Sequence, residues 1–315
     1  MKQAQILEAL SVFQLDFTIW SGMTKLSISD LKLGEGGDIP PERLALLGRK
    51  RICNPDLLKH FNSLKRRAIR TCEKYGLNFL NGYAVPTAKE DQLAQELDVI
   101  CDEFEDNKQL FLSDYDASLE AWIHENQNYA AAIQSSIMPK EQVAKRLFSG
   151  YQLFKIQPSS DASSKRLEQG VDQLGDDLIS EVIREADDLY QNLVGKDECH
   201  TRMSNKLAVL CDKIDGLSFL HGAILPIVSL MRDVLREVEC LDGHKIMGNT
   251  FHKLMSLLLL LSDRHRIEQF ARGEVSAQAF STPLPTQPKT QLDDMDAFFA
   301  AQSTSENFQA ESSYF

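Results

Sequence analysis

The chain has 315 residues, of which 43% are hydrophobic and 25% are charged, as is typical of a folded globular protein. It carries 46 acidic against 34 basic side chains, and the formal net charge of −12 argues against nucleic-acid binding by the surface as a whole. A local basic patch is still compatible with this balance.

Two features predict a cytoplasmic protein without membrane contact. The first ten residues lack the continuous apolar run of a signal peptide. The most apolar stretch, residues 254–261, is eight positions long, whereas a transmembrane helix needs about 20. The six cysteines form no Cys-x-x-Cys pair, and a chain of this length can bury a core without disulfides, so we expect reduced thiols.

The N-terminal half begins with a strand pattern. Residues 13–20 alternate between apolar and polar side chains, which predicts a half-buried strand. A glycine-rich loop, 34–37, leads to a short helix that begins at Pro41 and ends near Gly48. Asn54 and Pro55 are typical of a helix start, and this second helix is predicted to end at Gly76. Residues 151–156 predict a second strand, which we expect to pair with the first.

A long helical segment follows the second helix. Thr87 and Glu90 have the spacing of a capping box, and apolar residues then recur every three or four positions as far as Trp122. One helix over 88–125 would be about 55 Å long. This length predicts a helical hairpin or a coiled-coil arm.

The second half of the chain is predicted to be all-helical. Residues 157–164 are small and polar, as in a linker, and helical stripes cover 167–193, 203–238 and 248–271. We therefore expect a mainly α fold, a long helical hairpin or coiled-coil bundle with a small two-strand element in the N-terminal half. The predicted divisions are an N-terminal domain over 1–157, a C-terminal bundle or hairpin over 158–272, and a disordered acidic tail over 273–315.

The strongest local signal is a basic cluster with a net charge of +7 between residues 49 and 74. The candidate anion or nucleic-acid patch consists of Arg49, Lys50, Arg51, Lys65, Arg66, Arg67 and Arg70. The alternative is intramolecular, because residues 88–120 carry a net charge of −9 and two helices of opposite sign can lie side by side. The pattern leaves both interpretations open.

The tail is the second signal, because it mixes acidic and large apolar residues. The candidate partner-binding residues are Leu292, Asp293, Asp294, Met295, Phe298, Phe299, Tyr314 and Phe315. Such a segment can fold into a groove of a partner, with the apolar residues as anchors. The alternative is a tail that only keeps the protein in solution.

No motif predicts catalysis. The chain lacks a phosphate-binding P-loop, the GxSxG and HExxH motifs and a calcium-binding DxDxDG loop. Cys240, His244 and His252 match no zinc spacing, and His221 lies on an apolar stripe, as a core histidine would. We therefore predict a protein that is not an enzyme and has no metal or cofactor.

Several segments are similar to a bacterial family catalogued as domain of unknown function 3150. The resemblance rests on residues 39–55, 61–67 and 79–86, on 111–116 with Trp122, and on 150–154. It covers roughly residues 10–270, and it implies no catalytic or ligand residues.

The resemblance does imply a setting. Members of this family tend to be encoded on bacterial mobile elements, near a MoxR-type AAA+ ATPase and a von Willebrand A-domain protein. We therefore expect a helical adaptor or regulatory protein, with such a partner captured by the tail and with homo-oligomers formed through the long helices. The alternative is a nucleic-acid-binding accessory factor that uses the basic helix, 49–74.

Overall fold

The computed structural model describes residues 3–27, 48–241 and 243–274. These ranges contain eleven α-helices and eight β-strands. The helices are α1 (Gln3–Glu8), α2 (Lys59–Tyr75), α3 (Glu90–Ser113), α4 (Tyr115–Glu125), α5 (Ala130–Gln134), α6 (Lys140–Ala144), α7 (Asp161–Leu193), α8 (Arg202–Gly216), α9 (Ile224–Glu239), α10 (Gly248–Leu261) and α11 (Arg264–Ala271). The strands are β1 (Leu10–Thr18), β2 (Met23–Lys25), β3 (Arg49–Arg51), β4 (Leu77–Phe79), β5 (Gly82–Pro86), β6 (Phe148–Phe154), β7 (Glu198–His200) and β8 (Lys245–Met247).

Four strands form an antiparallel sheet in the order β4-β5-β1-β6. β1 pairs with β6 over seven consecutive residues, from Val12 opposite Phe154 to Thr18 opposite Phe148. The predicted pairing of the two strands is therefore confirmed. β2 pairs with β3, and β7 pairs with β8, as separate two-stranded ribbons.

The predicted fold class is wrong in two respects. The sheet has four strands rather than two, and the helices build a mixed fold around it rather than a long hairpin or coiled-coil bundle. β4 is only three residues long, which is too short for an alternating pattern to be recognised. β5, with the sequence Gly-Tyr-Ala-Val-Pro, is buried over four of its five positions and so shows no alternation.

The predicted long arm is also absent from this part of the chain. The helical segment breaks at Asp114 into α3 and α4, and the apolar stripe of α3 is buried in a core with Phe13, Phe17 and Phe61. The predicted capping box does not form. Thr87 begins a 3₁₀ turn, and its backbone N–H donates to the carbonyl of Ala9 at 2.9 Å, while Glu90 accepts a hydrogen bond from the hydroxyl of Ser11 at 2.5 Å.

The sheet separates two hydrophobic cores. Phe13 and Phe17 of β1 face the core formed with α2 and α3, whereas Leu10 and Val12 face a core that includes α1 and the helices from α7 to α11. This division follows from the alternation of side chains along a strand. The C-terminal helices therefore pack on the face of the sheet opposite to α2 and α3.

The C-terminal helices follow the predicted stripes but have different ends. The stripe over 203–238 is divided into α8 and α9 by residues 217–223, and the last stripe is divided at Ser262 into α10 and α11. The side chain of Asp263 accepts a hydrogen bond from the backbone N–H of Arg266 at 2.9 Å and so begins α11. The predicted loop 34–37, the helix beginning at Pro41 and the tail beyond residue 274 lie outside the described residues.

Candidate functional site

The basic cluster lies on α2 and on the strand before it. The side chain of Asn54 accepts a hydrogen bond from the backbone N–H of Asp56 at 3.0 Å, and Pro55 begins a 3₁₀ turn that continues into α2. The helix buries one face, consisting of Phe61, Leu64, Ala68, Cys72 and Tyr75. The basic side chains are therefore left on the two flanks and on the outer face of α2.

The helix ends at Gly76, as predicted, but for a different reason. Gly76 has an extended backbone, with φ −142° and ψ −179°, rather than the left-handed conformation common after helices. A Cβ atom at this position would lie 2.4 Å from the carbonyl oxygen of Ala84. Glycine is required here because β5 passes close to the end of the helix.

One flank of α2 pairs with α3. The guanidinium of Arg67 forms an ion pair with Glu103, and the imidazole of His60 lies 3.5 Å from the same carboxylate. The ammonium of Lys74 lies 3.1 Å from the carboxylate of Glu96. The intramolecular interpretation of the basic cluster is therefore confirmed for Arg67 and Lys74.

Tyr75 links this flank to the core. Its hydroxyl donates a hydrogen bond to Glu96 and accepts one from Lys74 at 2.7 Å. Burial raises the pKa of Tyr75, and the contact with Glu96 raises it further. Burial by itself would lower the pKa of Lys74, but hydrogen bonds to Tyr75 and Glu96 outweigh it, so that the net shift is upward. The three groups hold α2 and α3 together.

The outer face of α2 carries Arg66 and Arg70. Both side chains are exposed, and the Nε of Arg70 donates a hydrogen bond to the carbonyl of Arg66 at 3.3 Å. Neither guanidinium lies within ion-pair distance of a carboxylate in the described part of the chain. Lys65 points elsewhere, because its ammonium donates to the carbonyl of Phe17 at 3.2 Å.

The remaining members of the cluster lie on β3. Arg49 and Arg51 are exposed, and they share one side of the strand because one residue separates them. Lys50 is half-buried and points to the other side, opposite Thr24. Residues 52–54 separate β3 from the turn that leads into α2. We call Arg49, Arg51, Arg66 and Arg70 the outer arginines.

Sequence reasoning missed a cleft of about 810 Å³ between the end of α2, β4, α7 and α8. At its wall, Lys213 has a side chain that is only 4% exposed, and its ammonium lies 2.6 Å from the carbonyl of Glu73 and 2.5 Å from the carboxylate of Glu181. The spacing offered a signal, because Lys213 lies three residues after Leu210 and four before Leu217, within the apolar stripe. Through these two contacts Lys213, on α8, links α2 to α7.

Three buried thiols, those of Cys53, Cys72 and Cys211, hold their protons tightly. All six cysteines are free, and burial raises the pKa of Cys53 to about 11, that of Cys72 to about 12 and that of Cys211 to about 11. A protonated thiol is a weak nucleophile and a weak metal ligand.

In the ranges that the structure describes, no group of three or more His, Cys, Asp or Glu side chains is arranged to hold a metal ion. None of the helices in those ranges has the length and apolar character needed to cross a bilayer.

Together, the fold and the surface define a helix-dominated mixed α and β protein whose sheet lies between two helical layers. The chain belongs to the family DUF3150, described as proteins of unknown function, and the match covers residues 7–263. It extends from α1 to Asp263, the residue that caps α11, and includes the outer arginines. No curated protein and no solved structure matches the chain.

Proposed function

We propose that the chain is a non-enzymatic interaction protein that binds nucleic acid through the outer arginines. The observation that carries this proposal is the division of the basic cluster. The acids of α3 neutralise Arg67 and Lys74. Arg66 and Arg70 extend from the outer face of α2, without a carboxylate partner in the described residues. Guanidinium groups suit this task because they bind phosphate oxygens in a bidentate manner.

The net charge of the chain is compatible with this proposal. An acidic surface repels a nucleic acid from most directions, so binding is confined to the local basic area. Each phosphate contact releases counterions, and the affinity therefore falls steeply as salt is added. We place this activity in the bacterial cytoplasm, as an accessory function of a mobile element.

The test is fluorescence anisotropy with labelled single-stranded DNA, duplex DNA and RNA between about 50 and 200 mM salt. The variant Arg66→Glu/Arg70→Glu should lose at least about tenfold in affinity, with a salt slope shallower by about two. A matched control is Arg202→Glu/Arg236→Glu, which makes the same change in charge at exposed positions of α8 and α9. Equal binding by the two double variants, or no binding by the unmodified chain, would refute the proposal.

A second candidate function is that of an adaptor for a MoxR-type AAA+ ATPase or a von Willebrand A-domain protein. The feature that favours it is the composition of the tail, which has no Lys or Arg after Lys289 but has Phe298, Phe299, Tyr314 and Phe315. Apolar anchors beside Asp293 suit a groove with a basic rim.

Affinity capture from the native cells tests the adaptor proposal. The full chain should retain an AAA+ or A-domain protein, and Phe298→Ala/Phe299→Ala should lose it. A control with two polar substitutions in the same tail, Gln302→Ala/Ser305→Ala, should retain the partner. If both variants retain the partner equally, the two phenylalanines of the tail do not bind it.

A further inference from the structure

The outer edge of β6 is unpaired in the described part of the chain. β6 is the last strand of the sheet, and β1 occupies only its inner side. In such a strand, alternate N–H and C=O groups point away from the sheet and can pair with another strand.

The sequence of β6 lacks the features that normally protect an edge. Residues 148–154 read Phe-Ser-Gly-Tyr-Gln-Leu-Phe, with no charged residue and no proline. Phe148 is 49% exposed, Leu153 is 39% exposed and Phe154 is 40% exposed. Natural proteins usually block an open edge with lysine, proline or a bulge.

One face of β6 is already supported. The hydroxyl of Tyr151 donates a hydrogen bond to Asp98 of α3 at 2.8 Å, which holds the strand against that helix. Phe148 and Phe154 point to the other face of the sheet, beside the exposed Gln14, Asp16 and Thr18. The strand is therefore held in place while its edge and two aromatic rings stay accessible.

The strand is complementary to itself. Two copies of one strand can pair antiparallel about a two-fold axis that is perpendicular to the sheet. Directly opposite side chains share a face, so they must be an even number of positions apart in the sequence, and the axis therefore passes beside a residue. An axis beside Tyr151 is the choice that pairs all seven residues, and it places Phe148 opposite Phe154 of the second copy, twice. Since the strand carries no charge, this register contains no like-charge pair.

We propose that β6 pairs with β6 of a second copy of the chain, in the register centred on Tyr151, to form a continuous eight-stranded sheet. This inference is independent of nucleic-acid binding. The proposed dimer and the proposed nucleic-acid complex also differ in their response to salt, because the paired strands are uncharged and Asp98 of each copy lies near the two-fold axis. Added salt should therefore leave the dimer intact or strengthen it, whereas it weakens a complex with nucleic acid.

Sedimentation velocity of the full chain over about 1 to 100 µM tests the proposal. The unmodified chain should show a monomer–dimer equilibrium, and Phe148→Lys/Phe154→Lys should raise the dissociation constant by at least about tenfold, because it places lysines opposite each other twice. A second double variant tests the register itself. Phe148→Lys/Phe154→Glu should dimerise at least tenfold more tightly than the double-lysine variant, because it creates two Lys–Glu pairs between the copies.

The control is Leu225→Lys, at a 61% exposed position of α9, which should leave the equilibrium unchanged. Circular dichroism should show the same helix content in every variant. A full chain that stays monomeric would overturn the proposal. The same conclusion holds if amide exchange shows that another part of the same chain protects β6 in that monomer. Equal dimerisation of the Lys/Lys and Lys/Glu variants would overturn the register.

Discussion

Lys213 is the buried charge at the junction of α2, α7 and α8. Its ammonium bridges the carbonyl of Glu73, near the C-terminal end of α2, and the carboxylate of Glu181. A positive charge near a helix C-terminus also interacts favourably with the helix dipole. Removing the ammonium would leave both the carbonyl of Glu73 and the carboxylate of Glu181 without this partner.

We expect Lys213→Met to lower the free energy of unfolding by about 3 kcal/mol, since removing one member of a buried ion pair leaves the other unpaired. The figure is at the lower end of the usual range because the side chain of Glu181 is still 23% exposed. Urea unfolding followed by circular dichroism measures the change. Lys206→Met, at an exposed position of the same helix, should cost less than about 0.5 kcal/mol. Equal effects of the two changes would contradict the structural role of Lys213.

Gly76 fixes the distance between α2 and β5. A methyl group at this position would meet the carbonyl oxygen of Ala84 at 2.4 Å and a methyl of Val85 at 2.6 Å. We expect Gly76→Ala to cost at least about 2 kcal/mol of unfolding free energy, because backbone atoms must move to accept it. Gly222→Ala is the control, since nothing lies within 4 Å of the added Cβ there, and it should be close to neutral. A thermal melt that shows the same loss for both would contradict this account.

At the scale of the element, α2 separates two tasks on one helix. Arg67 contacts α3, whereas Arg66, one residue earlier, points outward. A sequence pattern can assign residues to the buried face of a helix, as it did for Phe61 and Leu64. It cannot tell which flank meets an acidic neighbour, because that depends on where α3 packs.

This division predicts opposite effects for neighbouring arginines. Arg67→Ala should cost at most about 1 kcal/mol of stability, because the arginine is 43% and Glu103 is 38% exposed, and should leave nucleic-acid affinity nearly unchanged. Arg66→Ala should leave the unfolding free energy unchanged and lower the affinity. Urea unfolding and anisotropy on the same two variants measure both quantities. A loss of affinity with Arg67→Ala as large as with Arg66→Ala would show that the pair with Glu103 opens on binding.

α3 shows why a correct helix can still give a wrong architecture. Its apolar stripe, with Leu93, Leu97 and Phe104, is present in the sequence and buried in the structure. The same spacing is typical of a coiled coil and of a helix packed on a sheet. The aromatic residues of β1 decide between them, since Phe17 packs edge-on against Phe104 at 5.8 Å between ring centroids.

At the scale of the whole molecule, the buried thiols and phenols predict sensitivity to alkaline pH. Burial raises the pKa of Cys72 from 9.0 to about 12 and that of Tyr115 from 10.0 to about 12. A raised pKa means that the folded state holds the proton more tightly than the unfolded state. The stabilising contribution is therefore complete below the unfolded pKa and is lost as the pH rises through the folded pKa.

We expect the free energy of unfolding to fall between about pH 9 and pH 12, by about 1.4 kcal/mol per pH unit for each such group. Urea midpoints at a series of pH values measure this slope. Cys53→Ala/Cys72→Ala should reduce the slope even if it lowers the overall stability. A slope that is insensitive to this variant would assign the alkaline loss to other groups.

The sequence by itself determined the local features of this protein. Asn54 and Pro55 begin a helix, the alternation after Leu10 makes a strand, and the family is identifiable from residues in the first half. These signals depend on neighbouring residues and on side-chain periods, which can be read along the chain. Only the tertiary structure decided that four strands share a sheet between two cores, that Lys213 holds three helices together, and that Arg66 is left without the partner that Arg67 has. Each depends on contacts between residues far apart in the chain, which local propensity does not encode.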